Sequence, residues 1–205
     1  MDRRTTIKWV MAASAAWPLF KAGGARAAAA SSELGYGTDP NLLKSYRPGE
    51  LWPLTLTTQQ QRLAGILADI IIPADKHSPS ASAVGAVEFI DEWVSAPYPK
   101  HRRDRTTVLE GFAWLDAEAA RRSGREFADL GASGQHAICT AICDESSAAA
   151  ELRAAAHFFS VYRDLTAAAF YSTPAGRKDL NYIGNVPLAR FDGPPPALLK
   201  NLGLL

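Results

Sequence analysis

The chain has 205 residues, 47% of them hydrophobic and 21% charged, enough to bury a core in one ordinary globular domain. A formal charge of +1 excludes the broad basic field that gathers nucleic acid. Two cysteines are too few for a disulfide scaffold or a chain-held iron–sulfur cluster, and four scattered histidines argue against a dedicated metal enzyme.

Residues 1–30 read as an export address. A basic start carrying Arg3-Arg4 and Lys8 leads into an uncharged stretch from Trp9 to Phe20, then Lys21 and Ala- and Gly-rich sequence. As a helix the apolar stretch would span ~18 Å, short of the ~30 Å hydrocarbon core. The pair Arg3-Arg4, the mild hydrophobicity and the basic Lys21 fit a twin-arginine signal, cut after either Ala27 or Ala30. Residues 1–30 hold five basic residues and one acid. Without them 17 basic and 20 acidic residues remain, a formal charge of −3. The expected compartment is therefore the periplasm.

Residues 31–56 read as an extended lead-in, broken by Gly35, Gly37, Pro40, Pro48, Gly49 and Pro53, with Trp52 and Leu54 tacking its end to the domain. Residues 57–173 carry the helical domain. Thr57 and Thr58, with Gln60 and Gln61 three residues on, start a helix whose Leu63, Ile66, Leu67, Ile70 and Ile71 share a face and which Pro73 ends. A second helix spans about 84–95, with Val87, Ile90 and Val94 inward, and Pro97 and Pro99 close it. The basic residues 100–105 lead into a third, with Val108, Leu109, Phe112, Leu115 and Ala119 buried and Gly124 as its stop. A fourth covers about 133–144, with Ile138, Ala141 and Ile142 inward. The longest covers about 149–171, where Leu152, Ala155, Phe159, Tyr162, Thr166 and Ala169 form a helical seam. No segment alternates with period two. The fold class is all-α: a small bundle of about five helices with an extended lead-in and an irregular tail.

Residues 174–205 form that tail. Pro174, Gly176, Gly184, Pro187, Gly193 and Pro194-Pro195-Pro196 forbid long helices, yet Leu180, Tyr182, Ile183, Val186, Leu188 and Phe191 are too apolar for a free linker. The tail either packs on its own domain or is buried against another protein. Tyr171, Tyr182, Ile183, Gly184 and Phe191 are the candidate partner-binding residues.

Catalytic and cofactor motifs are not found. There is no glycine-rich nucleotide loop, no haem-attachment motif and no nucleophile elbow, so no catalytic, cofactor-binding or metal residue is assigned. Cys139 and Cys143 stand four apart on a helix, a spacing that favours two buried free thiols over a bridge. An enzyme site near His136, Cys139 and Cys143 is the rival reading, and a free-standing periplasmic helical binding module is another. His157 is expected to be partly buried, and His77 and His101 to lie in loops. Asp91-Glu92, Asp116 and Glu118 read as exposed helix faces, and residues 100–105 as a solvated helix start.

The chain resembles the gluconate 2-dehydrogenase subunit 3 family. The resemblance is carried by the Arg3-Arg4 signal and by Leu56-Thr57-Thr58-Gln59-Gln60 running into Leu67-Ala68-Asp69-Ile70-Ile71-Ile72-Pro73-Ala74-Asp75, with Gly85 and Phe89-Ile90-Asp91 after it. It continues in Gly111-Phe112-Ala113-Trp114-Leu115-Asp116-Ala117-Glu118-Ala119, then Phe158-Phe159, Leu165-Thr166, Phe170-Tyr171-Ser172-Thr173-Pro174 and Asn181-Tyr182-Ile183-Gly184. Arg177-Lys178-Asp179-Leu180 departs from the usual glycine-richer tail. The resemblance implies a non-catalytic small subunit working beside an FAD-carrying dehydrogenase subunit of the glucose–methanol–choline type and a cytochrome c subunit. FAD and haem c then belong to those partners. It also implies contact with the twin-arginine translocase during co-export, and a place peripheral to the inner membrane through the complex.

Overall fold

A computed structural model describes residues 46–182, 184, 187, 189–190 and 193–205. The described residues are helical with no strand. In chain order the helices are α1 (Thr58–Ile71), α2 (Ala86–Ser95), α3 (Pro99–Ser123), α4 (Ala132–Ile142), α5 (Arg153–Tyr171), α6 (Pro174–Asp179) and α7 (Pro196–Asn201). Five long helices make the expected bundle. Within the tail, Pro174 and Pro196 each sit in the first turn of a six-residue helix, where the missing N–H costs nothing.

Helix α1 starts as its sequence demands. Thr57 Oγ1 accepts from the Gln60 amide at 3.3 Å, and Gln60 Oε1 accepts from the Thr57 amide at 2.9 Å. Its deepest residues are Leu63, Ala64, Leu67 and Ala68, while Ile66, Ile70 and Ile71 are half-buried at the edge of the stripe. Asp69, in the Ala68–Asp75 stretch that carried the resemblance, accepts from the Ser82 amide (2.8 Å) and hydroxyl (2.7 Å). Asp75 accepts from the amides of His77 and Ser78. The two carboxylates thus fold residues 73–82 back onto α1. Gly85 has φ +90, so the chain enters α2 through a conformation that side chains resist.

Pro99 does not close α2. It opens α3 as its first residue, and residues 100–105 lie inside that helix. The basic cluster is divided accordingly. Lys100 pairs with Asp104 at 2.7 Å. Arg105 donates to the carbonyls of Val94 and Ser95 at the end of α2, a cation where the helix dipole favours one. Arg102 and Arg103 are exposed.

Helix α5 is the axis of the bundle and packs against α1, α2, α3 and α4. Phe112 of α3 and Phe158 and Tyr162 of α5 form an aromatic triangle with ring centroids 5.6–6.0 Å apart. The close approach depends on Gly111, where an added Cβ would lie 2.0 Å from the Phe158 ring. Tyr162 is buried and donates to the Ala64 carbonyl at 2.8 Å, tying α5 to α1.

Faces on α3, α4 and α5 differ from the expected ones. Ala141 is exposed. The α4 stripe is instead Gln135, Ile138, Cys139 and Ile142, with Gln135 Nε2 donating to the Phe127 carbonyl at 3.3 Å. His157 is exposed and pairs with Glu145 at 3.0 Å. Asp116 is half-buried and accepts from the Phe127 amide at 2.9 Å, fixing the turn between α3 and α4. Glu118 bridges Arg121 and Arg122 in the last turn of α3, and the hydrogen bond from Arg121 holds its carboxyl down at about 2. The helix stops at Gly124 as expected.

Candidate functional site

The lead-in is clamped onto α2 by Asp91 and Glu92, the pair expected on an exposed face. Asp91 is 1% exposed. Its Oδ1 accepts from the amides of Thr55 and Leu56 at 3.0 Å each, and its Oδ2 from Gln61 Nε2 at 3.1 Å. The Ser95 hydroxyl lies 3.3 Å from Oδ1. A buried carboxylate persists only when so satisfied. Glu92 accepts from the Gly49 amide at 2.9 Å, and its carbonyl accepts from Trp52 Nε1 at 3.3 Å. Trp52 therefore tacks down the lead-in, whereas Leu54 stays 39% exposed and Leu56 takes the buried place.

Beside the clamp lies an aromatic recess. Its cavity of about 170 Å³ is lined by rings from three elements: Trp52 of the lead-in, Phe89 and Trp93 of α2, and His101 of α3 with Tyr98 just before it. Trp52 meets Tyr98 edge-on at 6.0 Å, and Trp93 lies 4.1 Å from His101. Lys100 Nζ sits 5.2 Å over the Trp93 ring. His101 is on a helix rather than in a loop, and its Nδ1 is buried without a hydrogen-bond partner. Burial lowers its pKa, so the imidazole is neutral at pH 7. Burial pushes Asp104 up, but hydrogen bonds from Lys100 and Trp93 outweigh it and hold the carboxyl low. The sequence reading missed this recess. Its signal was present in Phe89 and Trp93 at i, i+4 and Tyr98 and His101 at i, i+3, spacings that share a helix face.

The tail differs from the recess in its exposure. Tyr171 is half-buried and meets Phe170 edge-on at 5.1 Å, so it belongs to the end of α5. Tyr182 is 62% exposed and Leu180 57%. Gly184 is half-buried with φ +71. Ile183 and Phe191 lie outside the described residues, as do Arg3 and Arg4. Nearby in the chain, a polar cavity of about 500 Å³ is lined by Lys76, His77, Lys178, Asp179 and Asn181. The site residues expected to act together are thus divided: Tyr171 serves the bundle, while Tyr182 faces solvent.

The rival site near His136 does not assemble. Cys139 is buried, and desolvation pushes its thiol up to about 12, so it carries no thiolate at neutral pH. Cys143 and His136 are exposed, which corrects the expectation that both thiols are buried. Among the described residues no group of His, Cys, Asp or Glu is placed to hold a metal ion, and no helix is long and apolar enough to cross a membrane. The arrangement offers surfaces for binding: an aromatic recess at one place and exposed apolar side chains at another.

Comparison with protein families finds a match to the description "Gluconate 2-dehydrogenase subunit 3" over residues 58–193, more than half of the chain. No curated protein and no solved structure matches. The match begins at the first residue of α1 and takes in α1 to α6. The chain belongs to the gluconate 2-dehydrogenase subunit 3 family and is an accessory subunit of a dehydrogenase complex.

Proposed function

We propose that this subunit binds the FAD-carrying catalytic subunit of a sugar or polyol dehydrogenase, helps it mature and carries it to the periplasm by the twin-arginine route. The cytochrome c subunit is the third member of the complex. The observation that carries the reading is a subunit-family domain joined in one chain to the Arg3-Arg4 address. A small helical domain has little need of a route for folded cargo. A flavoprotein that must fold around FAD in the cytoplasm does need it. The exposed Leu180 and Tyr182 support docking, since large apolar side chains left in water mark interaction surfaces.

The test is co-expression of the catalytic subunit with this chain, without it, and with Arg3 and Arg4 both changed to Lys. Active flavoprotein is expected in the periplasm only with the wild-type chain. Full periplasmic activity in either other arm would overturn the carrier role.

A further inference from the structure

Lys76 and Lys178 lie far apart in the chain and line one polar cavity. Lys76 and His77 come from the loop after α1, and Lys178, Asp179 and Asn181 from the end of α6. Neither lysine pairs with a carboxylate among the described residues. Counting His77 as neutral, the lining carries two ammonium groups and one carboxylate, so it is net positive. Asp75 is not part of that lining. Its Oδ1 accepts from the amides of His77 at 2.7 Å and Ser78 at 2.8 Å. Both walls are fixed by the fold. The loop is closed by the Ala81 amide on the Ile72 carbonyl, by the Asp75 amide on the Ser78 carbonyl, each at 3.0 Å, and by Ser82 on Asp69. Helix α6 is capped by Thr173 Oγ1, which accepts from the Gly176 amide at 3.1 Å. Gly176 packs so closely on the end of α5 that an added Cβ would lie 2.2 Å from the Phe170 carbonyl oxygen. A backbone held this way presents its charges with little ordering left to be done on binding.

We infer that this cavity receives an Asp or Glu side chain of the catalytic dehydrogenase subunit, held between Lys76 and Lys178. The inference rests on the reading that this subunit is the partner. Charge selects the occupant. Without residues 1–30 the chain carries a formal charge of −3, so most of its surface disfavours an acidic partner and this cavity does not. A local basic point on an acidic molecule fixes where an acidic segment lands and in which orientation. Lysines are point charges on flexible stems, able to close on a single carboxylate from two sides. Leu180 and Tyr182, chain neighbours of the lining residues, are 57% and 62% exposed and add the apolar and aromatic contact that interfaces favour. Two lysines are too few for an anionic membrane surface, which takes clusters of roughly 4–8 basic residues.

The test uses the co-expressed complex, captured through this chain, with the dissociation constant for the flavoprotein measured at low and at high salt. Lys76→Gln with Lys178→Gln is compared with wild type and with Arg102→Gln plus Arg103→Gln, two exposed cations on α3. The lysine variant is expected to bind about 10-fold more weakly at low salt and to lose most of the salt dependence seen in wild type. The arginine variant should behave as wild type. Thermal midpoints of the isolated chains should agree, because both lysines are exposed. Equal affinities for the lysine variant and wild type would overturn the inference, as would an equal loss in the arginine variant, which would show charge attraction without a site. Inorganic phosphate that raises the midpoint of wild type but not of the lysine variant, with affinity for the flavoprotein unchanged, would make the cavity a small-anion site instead. Binding to phosphatidylglycerol vesicles that the lysine variant alone loses, again with affinity for the flavoprotein unchanged, would make it a membrane contact. A wild-type chain that retains no flavoprotein removes the functional reading itself and, with it, the occupant. A captured complex indifferent to the two lysines removes only the proposed contact.

Discussion

The lead-in and the tail are written in similar residues and meet opposite fates. Both are interrupted by proline and glycine, and both carry large apolar side chains. Residues 46–56 lie on the bundle because Asp91 and Glu92 receive their amides and Trp52 reaches the Glu92 carbonyl. At the tail, Leu180, Tyr182, Leu198, Leu202, Leu204 and Leu205 stay in solvent. An irregular segment cannot satisfy its own backbone, so covering a core with it requires acceptors placed for its amides. Helix α2 offers such acceptors, and one of them is buried. The comparison teaches that apolar composition alone does not decide whether a segment packs. The polar partners opposite its backbone do.

The largest expected effect breaks the lead-in side of this contrast. Asp91→Ala removes the acceptor shared by two buried or half-buried amides and Gln61, and should cost about 3 kcal/mol in urea unfolding. Limited proteolysis should then cut within residues 46–56. An unchanged midpoint would mean that water replaces the carboxylate and that the clamp is not what holds the lead-in.

Trp52→Ala should cost less, about 2 kcal/mol. The ring is half-buried, and the change removes its edge-on contact with Tyr98 and one hydrogen bond, short of the 3–5 kcal/mol of a fully buried tryptophan. Tryptophan fluorescence during unfolding would report it.

A smaller effect comes through pH. His101 has a folded pKa below its unfolded value of 6.5, so the unfolded chain binds more protons. Its contribution is complete above pH 6.5 and is lost as pH falls below that value. Wild-type stability should therefore decline between pH 7 and pH 5 more than that of His101→Gln. Parallel pH profiles would show that the recess leaves the imidazole free to titrate normally.

The smallest effect sharpens the tail side. Tyr182→Ser should leave stability within about 0.5 kcal/mol of wild type, since the side chain is 62% exposed. A loss well above that would place Tyr182 against the bundle in solution and erase the contrast.

Much of the bundle was legible because helix periodicity is local. Thr57 with Gln60, the stripe of Val108, Phe112, Leu115 and Ala119, and the seam of Ala155, Phe159, Tyr162, Thr166 and Ala169 all follow from spacing along one helix. Pro99 was misread because proline both ends and begins helices, and only the chain around it shows which. Asp91 was read as solvated because its partners lie 30–36 residues away, beyond any local pattern. Of the candidate docking residues, Tyr182 is exposed and Tyr171 is half-buried beside Phe170. The aromatic recess joins a lead-in residue to two helices, a meeting that only packing produces.

The amino-acid order alone determined the all-α class, the capped start of α1, the stop of α3 at Gly124 and the family resemblance. These depend on hydrophobic period, capping chemistry and residues adjacent in the chain. Tertiary structure decided which carboxylates are buried, which way α4 faces, and that Leu180 and Tyr182 are exposed. Those outcomes depend on groups distant in sequence that meet when the helices close around α5. Whether a carboxylate or an apolar side chain is buried depends on the surfaces left open once that packing is complete.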